Sequence, residues 1–312
     1  MTQTQKVQKI QNLIAVMGVT GAGKSYFIKS VTNNNGVIIG DGLQSCTSEI
    51  NAVNAEIDNQ QVTLVDTPGF DDTNRSDTEI LKDIVNFLTV TYQSDTRLKG
   101  IIYLHRISDV RMQGSALKNL NMFRKLCGED CFRNVILVTT RWDCVDGETG
   151  RRREHELMDT FWKPMLSRGS SIKRFAIADD GVNMIRQMIP KNDVVLSIQK
   201  EIVDENKSFE QTNAALEMNQ EINKQIAKFR QECDELQEQI RESHNDKELL
   251  RELHEQLQKN SLTIQRYQDE IEEMKKFKPA KQTLFTDYIP IAGKIIRLID
   301  GFIPEREKDR RN

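Results

Sequence analysis

The residues whose types and spacing most clearly specify chemistry lie near the start of the chain. Gly18-Val19-Thr20-Gly21-Ala22-Gly23-Lys24-Ser25 fits the pattern GxxxxGK[ST]. Glycines at these positions let backbone N–H groups turn inward around a phosphate, at the positive end of the helix that follows. Lys24 can neutralise β- and γ-phosphates, and the Ser25 hydroxyl is the kind of oxygen that ligates Mg²⁺. Gly21, Ala22, Gly23, Lys24, Ser25 and Tyr26 therefore read as a cradle for a nucleoside triphosphate. A second group is Val62-Thr63-Leu64-Val65-Asp66-Thr67-Pro68-Gly69. Its apolar residues place Asp66 at the carboxyl end of a strand, where a carboxylate can hold the Mg²⁺ shell with Ser25. Gly69 has no Cβ, so its N–H can approach a γ-phosphate.

A third group concerns the base. Guanine is distinguished by a carboxylate that accepts from N1–H and the exocyclic amine, a donor pair adenine lacks. Thr140-Arg141-Trp142-Asp143 follows the apolar run Val135–Thr139, and Asp143 meets the requirement. Arg141 can lay its stem or guanidinium plane over a purine, and Trp142 can pack or cover the base.

These groups need a scaffold that brings strand ends together. Asn12–Gly18, Val62–Asp66, Ile101–His105 and Val135–Thr139 are short apolar runs, the mark of strands buried on both faces. Lys24–Val31 continues the first motif as a helix. Ser76 with Glu79 is a capping-box signature, after which Ile80, Ile84 and Leu88 recur at helical spacing, as do Leu117, Leu120, Phe123 and Leu126. Strand–helix alternation predicts an α/β fold, a mostly parallel sheet between helices. Ser48–Ile57 and Val62–Asp66, joined by Asp58–Gln61, predict one antiparallel hairpin.

Between Pro190 and Pro279 there is neither Gly nor Pro, and the stretch is rich in Glu, Gln, Lys and Leu. It reads as long helix. Three segments follow: 1–190, an α/β nucleotide-binding domain; 191–278, a helical hairpin or coiled coil; 279–312, an amphipathic tail. Ile222, Ile226, Phe229, Cys233, Leu236 and Ile240 form one seam, and Leu250, Leu253, Leu257, Ile264, Tyr267, Ile271 and Met274 another. The phase shifts near Ser243–Lys247, where Asn245 and Glu248 offer a fresh cap. A hairpin explains both features, and a continuous rod with a stammer is the alternative. In the tail, Ile291, Ile295, Leu298, Ile299 and Phe302 share one face. That face suits docking on the protein or a peripheral contact with a membrane surface.

Composition narrows the classes. The chain has 312 residues, 38% hydrophobic and 29% charged, with a net charge of -3. No basic excess points to nucleic acid. No apolar run is long enough for a spanning helix, and no secretory leader is evident, so a cytoplasmic location is expected. Five cysteines without zinc-finger spacing to the four histidines read as structural thiols of a reducing compartment.

The combination of motifs resembles GTPases, whose usual sequence at the third group is NKxD; here Thr140 replaces Asn and Arg141 replaces Lys. The closer resemblance, over roughly residues 13 to 189, is to the septin, Toc and immunity-associated (GIMAP, AIG-type) group of P-loop GTPases. It extends to uncharacterised fungal G-domain proteins carrying DTPGFDDT. The resemblance implies a G domain that binds GTP and GDP with Mg²⁺. It makes Thr47, in Ser45-Cys46-Thr47, the second Mg²⁺ ligand. Ala178-Asp179-Asp180, after the run Arg174–Ile177, falls where the group contacts guanine O6; a plain turn fits these residues equally. In many GTPases a Gln after the DxxG glycine positions the attacking water. That position is Phe70, so slow intrinsic hydrolysis is expected. Leu104-His105-Arg106 matches the segment where the group carries an arginine at a nucleotide-dependent dimer interface. Arg106 can then serve as a finger in trans, or be a solvated strand-end residue, or pair with Asp71 or Asp72. His105 reads as a packed strand-end histidine rather than a base. Lys24, Thr47, Gly69 and Arg106 are thus the candidate catalytic set. The expected function is a regulatory GTPase that self-associates with nucleotide. Its rivals are a nucleotide-binding scaffold with little turnover, favoured by Phe70, and an ATP-dependent P-loop protein, favoured by the divergent Thr140-Arg141.

Overall fold

The computed structural model describes residues 12–32, 50–72, 74–112, 114–243 and 246–280. Thr47 with its neighbours Ser45 and Cys46, the cap residue Asn245 and the apolar face of the tail all lie outside the described residues. The chain divides into two compact units, the first reaching Asn206 and the second Lys207–Lys278.

The first unit is built on six strands in the order β2-β3-β1-β4-β5-β6. The apolar runs became its centre. β1 (Leu13–Gly18) is buried along its whole length, and it pairs in parallel with both β3 (Gln60–Asp66) and β4 (Leu98–Arg106). β5 (Val135–Thr140) continues the parallel set, again with every residue buried. A strand with neighbours on both sides and helices above and below has no polar face, hence the unbroken runs. β2 (Asn51–Ile57) pairs antiparallel with β3. The turn between them is Asp58-Asn59, at φ 51° and 59°, rather than the wider Asp58–Gln61 expected. Positive φ at both central residues is what a two-residue hairpin requires, and Asp and Asn tolerate it best.

The last strand also differs from expectation. β6 is Ser171–Arg174, paired with Ile136–Thr139, and not Arg174–Ile177. Its Ser-Ile-Lys-Arg sequence lacks an apolar run because it is an edge strand. Phe175 turns inward and packs its ring against Phe27, 4.9 Å between centroids.

Helices cover both faces. α1 (Lys24–Thr32) follows the glycine-rich loop and buries Phe27, Ile28 and Val31. α2 (Asp77–Gln93) starts at the expected capping box, Ser76 with Glu79. α3 (Ser115–Cys127) buries Leu120, Phe123 and Leu126. α4 (Gly147–Glu156) and the short α5 (Lys163–Leu166) lie between β5 and β6, with a π-helical turn at Leu157–Phe161 between them. α6 is Ala178–Met188. The unit does not stop at Pro190. Leu196 and Ile198 are buried, and Gln199 Nε2, in α7 (Ser197–Gln199), donates to the Leu88 carbonyl at 2.9 Å. Pro190 ends a helix without ending the domain. The whole is a G-domain fold with one antiparallel pair, followed by a long helical region.

That region is a hairpin and not a rod. α8 (Asn213–Glu242) and α9 (Lys247–Lys276) each hold 30 residues. The Phe229 and Tyr267 rings meet at 6.2 Å, and Asn260 Nδ2 donates to Glu232 at 3.2 Å, so the helices run antiparallel. Asp246 caps α9, accepting from the N–H groups of Glu248 and Leu249. Among the described residues no helix is long and apolar enough to cross a membrane.

Candidate functional site

Three loops at the carboxyl ends of β1, β3 and β4 form one site. The loop from Gly18 to Lys24 is shaped by Gly21 and Gly23, at φ 76° and 93°, backbone that L side chains rarely adopt. Lys24 is buried, and its ammonium donates to the carbonyls of Gly18 and Val19, both at 3.1 Å. Burial pushes the Lys24 pKa down to about 8; the charges of Asp66 and Asp72 act the other way, and Arg106 adds to the depression.

The second loop is tied to the first. The Thr20 N–H donates to the Phe70 carbonyl at 2.7 Å, and Thr20 Oγ1 donates to the Gly69 carbonyl at 3.1 Å. A Cβ on Gly69 would sit 2.6 Å from each of Lys24 Nζ, Thr20 N and Thr20 Oγ1. Only glycine fits there. Thr67 Oγ1 reaches back to the Val16 carbonyl at 2.9 Å. Phe70 is buried, so its side chain serves the core.

Ser25 Oγ donates to Asp66 Oδ2 at 2.7 Å, and Asp66 is buried. This hydroxyl–carboxylate pair has hard oxygen donors suited to Mg²⁺, an ion that protein sites hold through one or two carboxylates plus substrate phosphates. Among the described residues no group of three His, Cys, Asp or Glu side chains converges as a metal cage. A metal here would draw its other ligands from the nucleotide and water.

Arg106 closes the site from β4. It does not pair with Asp71 or Asp72 as the sequence allowed; its Nε lies 2.9 Å from Asp109 Oδ1, with the Arg106 side chain about a third exposed (34%). Its guanidinium lies against the glycine-rich loop, since a Cβ on Gly21 would come within 2.9 Å of Nη1. Arg153 Nη1 holds the turn after Arg106 by donating to the carbonyls of Ile107 and Ser108, at 2.9 and 3.0 Å. His105 is buried, its ring 6.0 Å from that of Trp162, and burial lowers its pKa to about 4. It is a packed neutral imidazole.

The turn at 140–143, expected from the sequence to read the base, is joined to the glycine-rich loop by Thr140, whose Oγ1 donates to the Ala22 carbonyl at 2.9 Å. Arg141 stands at φ 60° and is exposed, as is Asp143. Trp142 packs against the protein: its Nε1 donates to Thr139 Oγ1 at 3.0 Å, and the Arg174 guanidinium lies 4.1 Å over its ring. Tyr26 is exposed at the rim, edge-on to Phe175 at 6.0 Å. Asp179 is not in a loop after β6. It occupies the exposed first turn of α6, where its charge acts on Arg186. The loop is 175–177, and Asp180 fixes it by accepting from the N–H groups of Ala176 and Ile177.

The structure therefore gathers Lys24, Ser25, Asp66, Gly69 and Arg106, and links Thr140 to them. The roles of Thr20, Asp109 and Arg153 were not visible in the sequence. Thr140 had a signal, its place at the motif, but not its partner.

With this geometry described, comparison with known proteins becomes informative. Residues 13–141 match a family model described as 50S ribosome-binding GTPase. The match is to GTPases. Translocase of chloroplast 90, chloroplastic, from Arabidopsis thaliana is 28% identical over 144 residues, 46% of this chain and 18% of that protein. The chain thus spans under a fifth of that relative's length. Among solved structures, Toc33 from Arabidopsis thaliana with GDP and Mg²⁺ has TM-score 0.47 at 17% identity, covering 61% of this chain and 90% of that one. Elongation factor SelB from Methanococcus maripaludis with GppNHp has TM-score 0.41 at 16% identity, covering 60% and 36%.

Proposed function

We propose that this protein is a regulatory GTPase that binds Mg·GTP, self-associates in the bound state and hydrolyses GTP slowly to GDP. The observation that carries the reading is the convergence of buried Lys24, the Ser25–Asp66 pair and the glycine-only approach at Gly69 around one glycine-rich loop. Lys24 binds and neutralises the terminal phosphates, and Thr20 couples their position to the loop at Gly69–Phe70. Ser25 and Asp66 would hold Mg²⁺, joined by Thr47 as the sequence resemblance implies, and the ion would supply charge stabilisation to the terminal phosphates. Asp143 accepts from the guanine edge, and Tyr26, exposed beside Phe175, contributes to the nucleotide-binding loop.

Hydrolysis is slow because Phe70, at the place of a water-positioning side chain, is committed to the core. Arg106 supplies the missing charge to a partner's phosphates across a nucleotide-dependent dimer. Its exposure at a strand end and its seat on the glycine-rich loop support that role. Turnover per molecule should rise with protein concentration, and Arg106→Ala should remove the rise, a loss on the order of 10³-fold or more in kcat by analogy with arginine fingers. A flat wild-type profile would favour the second reading, a nucleotide-bound scaffold whose working surface is the helical hairpin; buried Phe70 is the observation behind it. Asp179 has no assigned role in this scheme. The tail's membrane contact and a cytoplasmic location stand as proposals from sequence alone.

A further inference from the structure

The base-reading turn departs from NKxD at two positions, yet its one carboxylate must be held still to discriminate. A carboxylate free to swing into water would cost adenine nothing, because the penalty comes from a fixed acceptor left without its donors. The turn itself is strained: Arg141 is a long side chain at φ 60°, conformation that costs a non-glycine residue roughly 1 kcal/mol and persists only where neighbours enforce it.

The enforcing neighbours converge on Trp142. Its indole N–H donates to Thr139 Oγ1 at 3.0 Å. The Arg174 guanidinium covers its ring at 4.1 Å, and Glu154, only 12% exposed, holds Arg174 through both carboxylate oxygens. Thr139 Oγ1 also lies 3.3 Å from Glu154 Oε1, closing the circuit. Beneath the benzo ring is Gly150, where a Cβ would meet Trp142 Cζ3 at 2.6 Å. The ring is therefore fixed at its N–H, its face and its far edge. On the other side of the turn Thr140 is tied to Ala22. Asp143, next in the chain, has no such restraint: it is exposed, with Cys144 Sγ 3.7 Å from Oδ1.

We propose that Trp142 is a positioning residue for base selection: clamped by Thr139, Arg174 and Gly150, it locks the backbone of the turn and so fixes the point from which Asp143 presents its carboxylate relative to the glycine-rich loop. This rests on the guanine reading above. It assigns to a side chain facing the protein the job that Asn and Lys would do from the nucleotide side.

The test is the affinity of the full chain for nonhydrolysable GTP and ATP analogues with Mg²⁺, by calorimetry, in the wild type, Trp142→Ala, Thr139→Val and Asp143→Ala. Trp142→Ala and Thr139→Val should each lower the GTP-to-ATP affinity ratio by about fivefold or more, as loss of roughly one hydrogen bond's discrimination, with ATP bound no more weakly than by the wild type. An equal fall for both nucleotides in Thr139→Val, or an unchanged ratio, overturns the proposal. If Trp142→Ala does not fold, Thr139→Val decides alone, since it keeps the indole and the side-chain volume. A wild type without GTP preference, or an Asp143→Ala that keeps it, refutes the guanine reading itself. Preference lost in Asp143→Ala but kept in the clamp variants refutes only the clamp.

Discussion

Lys24, Thr20 and Gly69 meet within a space that leaves no room for one more carbon atom. Gly69→Ala should therefore push the loop at Gly69–Phe70 off the cradle and weaken triphosphate binding by 10-fold or more, roughly the 1–3 kcal/mol of a disrupted buried hydrogen-bonded contact. Comparing GDP and GTP-analogue affinities checks this, because the diphosphate should lose less. His105 gives a pH signature. Its folded pKa of about 4 lies below the ordinary 6.5, so the unfolded chain binds the extra proton between those values. Stability is whole above about pH 6.5 and is lost as pH falls toward 4, by up to ~3 kcal/mol from this group. Asp109 and Arg106 face the ring with opposing charges, and burial outweighs both. His105→Phe should flatten that acid limb in denaturant unfolding; an unchanged limb would assign it to other groups.

At the scale of elements, the legible parts were those whose physics is local. Buried parallel strands need unbroken apolar runs, so β1, β3, β4 and β5 could be read directly. β6 could not, because Ser171–Arg174 is a short polar edge. The domain limit was misplaced at Pro190 because a helix breaker says nothing about which later residues pack; Leu196 and Gln199 return to the same core. Around the glycine-rich loop, motifs pointed to Lys24, Ser25, Asp66 and Gly69, which the structure brings together, while contacts such as Thr140 to Ala22 join residues 118 apart and leave no trace in spacing. The hairpin seam shows the same limit. Between Leu257 and Ile264 the seam position falls to Asn260, buried and bonded to Glu232 and Gln256. A polar residue in a seam fixes register at a cost in stability. Asn260→Leu should raise the melting of the helical signal by a few degrees, about 1 kcal/mol, since its polar partners reach water. A fall would mean that the hydrogen bonds outweigh the apolar gain.

At the scale of the whole molecule, the proposed function joins the glycine-rich loop around Lys24, where buried Phe70 stands at the place of a water-positioning side chain, to Arg106, which rests on the loop it would serve in a partner. It makes assembly the condition for turnover, and it makes the bound triphosphate the condition for assembly. Both depend on the cradle. The most direct test is calorimetry of the full chain with GTP and Mg²⁺, beside Lys24→Ala. The account predicts one site per chain in the wild type and a loss of affinity of at least tenfold in the variant, roughly the 1.5–3 kcal/mol of a hydrogen bond to a charged group. A wild-type chain that takes up no GTP, or a Lys24→Ala that binds it equally well, would contradict the account.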